Sequence, residues 1–198
     1  MTPAIAVHHP VRLHIADDLK RTRLTVFFRP LLVVPHLLWL GLLAVVVLFA
    51  GIGNWFATLW KGRSPDSLHD FLAGYLRYVT HVSAYLFLIA DPYPGFYLIN
   101  SSESYPIDLE IDPPETQNRW TVFFRIILAI PALIVAGVLR NLSGVLAIFS
   151  WFIALYQSSV PEGLRNFAAL ALRYETQAYA YAALLTPRYP SFDVGLTA

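Results

Sequence analysis

The stretch "RLTVFFRPLLVVP" (residues 23–35) returns as "RWTVFFRIILAIP" (residues 119–131). The offset is 96 residues, and it holds without a gap across most of the chain. Pro10 maps to Pro106, Leu13 to Leu109, Trp55-Phe56 to Trp151-Phe152, Leu76-Arg77-Tyr78 to Leu172-Arg173-Tyr174, and Tyr93-Pro94 to Tyr189-Pro190. A period of this length with so many coincidences is a tandem duplication, a common route to pseudo-symmetric membrane proteins.

Composition sets the solvent. The 198 residues are 57% hydrophobic and only 14% charged, with a mean hydropathy of +0.53. Soluble domains sit near 45–50% apolar and about 25% charged, so this chain lacks the polar surface to cover itself in water and reads as an integral membrane protein. It has no cysteine, which excludes disulfides, thiolate metal sites and a catalytic thiol. A net charge of +1 gives no nucleic-acid signal. Asp17, Asp18, Lys20 and Arg21 make the first 22 residues unlike a cleaved signal peptide.

Each half has four parts, giving a first repeat over 1–97 and a second over 98–198. A short alternating strand, "PVRLHI" (10–15) or "PIDLEI" (106–111), comes first. An apolar stretch follows, 24–60 or 120–156, which is too long for one span of about 20 residues. With "GIGN" (51–54) and "RNLSG" (140–144) as candidate turns, each stretch is expected to form a hairpin of two membrane helices. A proline followed by an acid, Pro65-Asp66 or Pro161-Glu162, then starts an amphipathic helix expected over 66–90 or 161–185. An aromatic, proline-rich exit closes the unit.

The third helix carries a polar-to-small stripe: Asp66, Asp70, Ala73, Arg77, Thr80, His81 and Ala84, and Glu162, Asn166, Ala169, Arg173, Thr176, Gln177 and Ala180. A lipid-exposed arginine at the bilayer centre costs roughly 2.5 kcal/mol or more. The helix therefore either lies flat with its stripe toward water, the favoured reading, or spans with its stripe toward protein. If the strands pair antiparallel with Leu13 opposite Leu109, Arg12 meets Glu110 and His14 meets Asp108, giving favourable charge pairs. That pairing puts both strands on one side of the membrane. Lys20, Arg21, Arg23, Lys61, Arg63, Arg119 and Arg165 fall there too, with Arg140 in the opposite turn. By the positive-inside rule that side is cytoplasmic, with both termini. The expected fold class is a mainly α, polytopic protein of two pseudo-symmetric repeats with a small cytoplasmic β element.

The ordered set of an arginine, "FFR", an apolar run with a central proline, "WF", a proline-initiated helix bearing "LRY", and "YP.F" resembles the DUF4389 family, small uncharacterised prokaryotic membrane proteins. The chain looks like two such units, at 23–96 and 119–192. The family exit resembles "LTD.YPPF". Here Asp91 is kept in the first half, while "LLT" (184–186) is followed by Pro187. The resemblance implies an architecture and a prokaryotic inner membrane, and no activity.

Among candidate residues, Arg29 and Arg125 read as interfacial anchors behind aromatic pairs, snorkelling to lipid phosphate, or as paired anion sites. Arg77 and Arg173 read as ligands for anionic lipid or as the lining of a shared groove, with Glu175 near Arg173 as a local partner. Pro35 and Pro131 should kink their helices. His36 and His81 correspond to Ala132 and Gln177 at the repeat offset, so no axial haem pair or metal cluster is expected, and no cofactor. No GxSxG, HExxH or phosphate loop occurs, so no enzyme is expected. The expected function is a non-enzymatic membrane scaffold or accessory subunit, touching lipid headgroups through paired arginines, with a protein partner or a second copy. The alternative is a small transporter or channel-like protein for an anionic solute or lipid. A redox subunit is a distant third.

Overall fold

A computed structural model describes residues 9–96 and 105–192, so the boundary expected at 97/98 lies outside the described residues. The elements are β1 (Val11–Ile15), α1 (Arg23–Leu32), α2 (Val34–Lys61), α3 (Asp66–Leu86), β2 (Ile107–Ile111), α4 (Arg119–Phe123), α5 (Arg125–Gln157) and α6 (Glu162–Ala182). They stack in three layers: a two-stranded sheet, the α3–α6 pair, and the long helices.

The sheet is antiparallel, with Leu13 opposite Leu109, Arg12 opposite Glu110 and His14 opposite Asp108. This is the register that the charge pattern specifies. Arg12 bonds Glu110 (3.1 Å) and also Asp112 (2.8 Å). His14 departs from expectation: its ring reaches Glu110 (3.4 Å), a diagonal neighbour that a long side chain reaches readily. The alternate residues Val11, Ile107 and Leu109 are buried beneath.

They are buried against α3 and α6, which run antiparallel. Ala84 meets Ala168 and Ala169 at one end, and Leu72 and Ala73 meet Ala180 at the other. The polar-to-small stripe is what makes this contact. Ala73, Thr80, His81 and Ala84 are buried, as are Ala169, Thr176, Gln177 and Ala180. The expected water-facing stripe is thus corrected: it faces protein, because small residues allow close helix approach and the sheet supplies polar partners. The helices also stop at Leu86 and Ala182, short of 90 and 185. Each then turns through a leucine in left-handed conformation, Leu88 (φ 57) or Leu184 (φ 63), with both side chains buried.

The outer layer corrects the expected hairpins. Residues 51–54 and 140–144 are helical, and Arg23–Lys61 and Arg125–Gln157 are each long and apolar enough to cross a membrane. The turn-forming residues have other work. Asn54 donates to Ala183 O (3.0 Å) and accepts from Ser64 (2.6 Å). Asn141 folds back onto Gly137 O (2.8 Å), and Ser143 is buried. No glycine among 51, 53 and 144 would meet an atom within 4 Å if it gained a Cβ, so none marks a tight turn. Arg140 consequently sits within α5 rather than in a turn.

The long segment is nonetheless bent. Its start packs against Leu88 and its end against the start of α3. The 21 residues of α3 cover that separation in about 31 Å, whereas 39 straight residues would need about 58 Å. The break is at Val33, just before Pro35, whose missing N–H is harmless in the first turn of α2. In the second half the break is at Phe124, and Pro131 lies within an uninterrupted α5, so the kink expected there is displaced.

The two halves then diverge in packing. On α5 the residues facing α6 are small: Ala129, Ala132, Ala136, Ser143 and Ser150, all buried. At the same offsets the first half carries Val33 at the helix break and His36, Leu40, Val47 and Asn54 on α2. Small residues at this spacing let helix axes close up, and α5 packs along α6 far more extensively than α2 along α3. Enlarging one of these contacts, as in Ala136→Leu, should cost about 1–3 kcal/mol by overpacking. Leu40→Ala, beside a gap, should cost less. Denaturant unfolding in micelles compares the two, and equal losses would contradict the packing asymmetry.

Candidate functional site

Arg29 and Arg125 are not at a headgroup surface. Each is about 1% exposed and points inward. Arg29 donates to Tyr85 O (2.7 Å) and Ala90 O (2.9 Å), pairs with Asp91 (2.8 Å), and lies over the Tyr85 ring. Arg125 donates to Thr186 O (3.4 Å) and to Gln117 Oε1 and lies over the Tyr181 ring. Tyr85 O lies in the last turn of α3, where the helix dipole is negative, and Ala90 O and Thr186 O belong to the turns that follow α3 and α6. The halves differ in counter-charge. Arg21, itself buried and paired with Asp17 (2.7 Å), donates to Leu88 O (2.8 Å). Its counterpart is Gln117, which donates to Leu184 O (2.7 Å). Trp55 and Trp151 complete the frame by donating across the halves, to Val122 O (3.0 Å) and Val26 O (2.7 Å).

Arg77 is spent on the sheet: it donates to Leu109 O (3.1 Å) and lies 3.8 Å from Asp108. Arg173 lies within electrostatic reach of His9. His36 bonds Tyr78 Oη (2.6 Å) and stacks on Phe96 (4.2 Å between centroids). His81 stacks on Tyr105 (4.5 Å). Among the described residues no group of three or more histidines and acids is placed to hold a metal ion.

The chemistry that sequence reasoning missed is an ion pair inside the apolar layers. Arg140 Nη1 donates to Glu175 Oε1 at 2.6 Å. Glu175 is therefore not the partner of Arg173; two residues along a helix point to different faces. The Glu175 side chain is 4% exposed and the Arg140 side chain 41%. Burial pushes the Glu175 carboxyl above its ordinary range, against the pull of Arg140 and a hydrogen bond with Tyr179. The pair borders a cavity of about 560 Å³ walled by Leu40, Val47, Leu72, Leu76, Tyr75 and Tyr179. The cavity lies where α2 stands away from α3, so its origin is the packing asymmetry above. A signal was present in the sequence: at the repeat offset Arg140 and Glu175 correspond to Ala44 and Val79, so both charges belong to one copy only.

A family model, "Domain of unknown function (DUF4389)", matches residues 23–97 and 119–193. The chain belongs to this family. It carries two tandem DUF4389 copies, each running from the first arginine of a long helix to the aromatic exit. No curated protein and no solved structure matches it. The arginine that begins "RPLL" or "RIIL" thus lies inside each DUF4389 unit as the buried tie to the end of its own third helix.

Two outcomes follow from this geometry. Replacing Arg29 with Met strands Asp91 and two carbonyls and should cost about 3–5 kcal/mol of unfolding free energy, measured in micelles. Burial also drives the His81 imidazole down to about 4. The folded state keeps it neutral, while the unfolded chain protonates near 6.5. Its contribution is therefore complete above pH 6.5 and lost as the pH falls from 6.5 through 4. The melting temperature should drop over that window, and His81→Gln, the residue found at position 177, should flatten the drop.

Proposed function

We propose that this protein is a membrane-embedded scaffold inserted from one face, with its long helices lying in the bilayer and its sheet in water. The observation that carries the reading is the layer order. Exposed apolar side chains crowd the long helices, among them Leu38, Leu42, Phe49, Trp60, Ile126, Ile134 and Phe152. The charged residues of the sheet, Arg12, His14, Asp108 and Glu110, lie beyond the α3–α6 pair on the opposite face. Because the strands, α3 and α2 run alongside one another, a spanning α2 would drag the charged strands into hydrocarbon, at several kcal/mol for each uncompensated charge. A protein with one apolar face and one charged face instead sits at a membrane surface.

This keeps the scaffold role and replaces polytopic crossing with insertion from one side. The ends of the long segments are tied to one another and to the polar connections that flank them. Arg23 bonds Ser158 (2.6 Å) and Tyr156 O (2.9 Å), and Arg63 bridges to Thr116. Lipid headgroups are contacted by the exposed cations at these ends, Lys20, Arg23, Lys61, Arg63 and Arg119, in place of Arg29 and Arg125. Attraction of about 1 kcal/mol per such cation to an anionic leaflet favours the cytoplasmic face of a prokaryotic inner membrane. The sheet is then the surface open to a protein partner or a second copy.

Single cysteines test this in a chain that has none. At His14 or Asp108 they should react with an impermeant maleimide from one side of sealed vesicles. At Val46, Phe49, Val145 or Phe149 they should react from neither side. Labelling of any of the latter from the far side would overturn insertion from one face.

A further inference from the structure

We infer that the cavity beside Arg140 and Glu175 is a binding site for a single-chain amphipathic anion, a carboxylate or phosphate carrying one acyl or isoprenoid chain. The inference rests on the embedded reading above, which places the cavity mouth within reach of lipid.

Four observations converge. The cavity volume of about 560 Å³ falls within the ~300–1,000 Å³ typical of small-molecule sites. Its walls are predominantly apolar, and its polar groups gather at one place. Arg140 uses one donor on Glu175 and lies 5.6 Å from the Phe87 ring centre, but its side chain stays two-fifths exposed at the edge of the cavity, with N–H donors left for a further acceptor. Glu175 is closed off, with its acceptors turned to Arg140 and Tyr179. The unspent capacity is cationic and donor-only, and what complements it is an anionic head with a hydrocarbon tail. The tail lies along Leu40, Val47, Leu72 and Leu76. A free inorganic anion gains nothing from those walls.

Glu175 competes with the incoming head for Arg140. The groups facing it are Arg140 from α5, Tyr179 from α6 and Tyr75 from α3; α2 presents only Leu40 and Val47. When Glu175 takes up a proton, Arg140 is released to the ligand anion and the buried net charge is unchanged. Binding is therefore coupled to uptake of one proton at this carboxyl, and it strengthens as the pH falls.

The test uses the full chain in lipid nanodiscs, with oleate and lysophosphatidate as probes and native mass spectrometry or displacement of a fluorescent fatty acid as readout. Wild-type protein should bind one probe molecule saturably, more tightly at lower pH. Glu175→Gln keeps Arg140 and removes its competitor, so binding should tighten and lose its pH dependence, an effect a purely structural pair would not produce. Arg140→Gln/Glu175→Gln leaves no stranded charge and should weaken binding tenfold or more. Val47→Trp fills the cavity away from the ion pair and should abolish binding. Absence of saturable binding, or binding indifferent to both the double variant and Val47→Trp, would overturn the site. Displacement by inorganic phosphate would overturn the amphiphile in favour of a free anion. Far-side labelling of the outer helices with binding intact would instead remove insertion from one face and leave the site standing.

Discussion

A guanidinium held in an apolar layer must find acceptors within reach, and in this protein it finds them at the end of a neighbouring helix. Arg29 and Arg125 issue from the outer helices, are removed from solvent, and bind carbonyls in and just after the last turns of α3 and α6: Tyr85 O and Ala90 O for Arg29, Thr186 O for Arg125. Buried carbonyls at a helix end need donors, and Tyr85 O lies at the negative end of the α3 dipole, so the guanidinium and the chain reversal satisfy one another. The consequence is mechanical as well as electrostatic. The tie holds the start of each long segment at one end of the middle layer, and the loop after Lys61 returns the first segment to the other end. The segment has to bend, and the exposed apolar surface is left on one face.

Duplication supplied two such ties, and divergence then made them unequal. The first half surrounds its arginines with Asp17 and Asp91, where the second has Pro113 and Pro187 and uses Gln117. The second half lines α5 with alanine and serine and closes onto α6. The first places Val33, Leu40 and Val47 at those positions and stands off. The cavity is the difference between two packings of one ancestral unit. Its ion pair has no counterpart at the repeat offset.

The parts legible in the sequence were those set by short-range pattern or by duplication. Strand register followed from placing like on like, because Leu13 opposite Leu109 brings Arg12 to Glu110. The limits of the apolar stretches, 24–60 and 120–156, and the starts of α3 and α6 at Pro65 and Pro161 were legible as well. The layer order was not legible. A stripe of alanine, threonine and histidine has the same periodicity whether it faces water or another helix. "GIGN" and "RNLSG" look like turns until Asn54 has Ala183 O to bond and Ser143 has α6 to pack against. An arginine behind two phenylalanines looks like an interfacial anchor, and only the fold shows helix-end carbonyls within reach. The Arg140–Glu175 pair joins residues 35 positions apart on different helices, beyond any local rule.

Four of the five tryptophans, at 39, 55, 60 and 151, lie on the long helices, and Trp120 lies on the short α4 that leads into α5, so the native chain reports its own depth. Vesicles carrying nitroxide-labelled lipid in one leaflet only, with protein added from a known side, give the most direct reading of how the molecule sits. Insertion from one face predicts quenching of tryptophan fluorescence by label in the near leaflet and none by label confined to the far leaflet. Comparable quenching from both leaflets would contradict it and restore helices that cross.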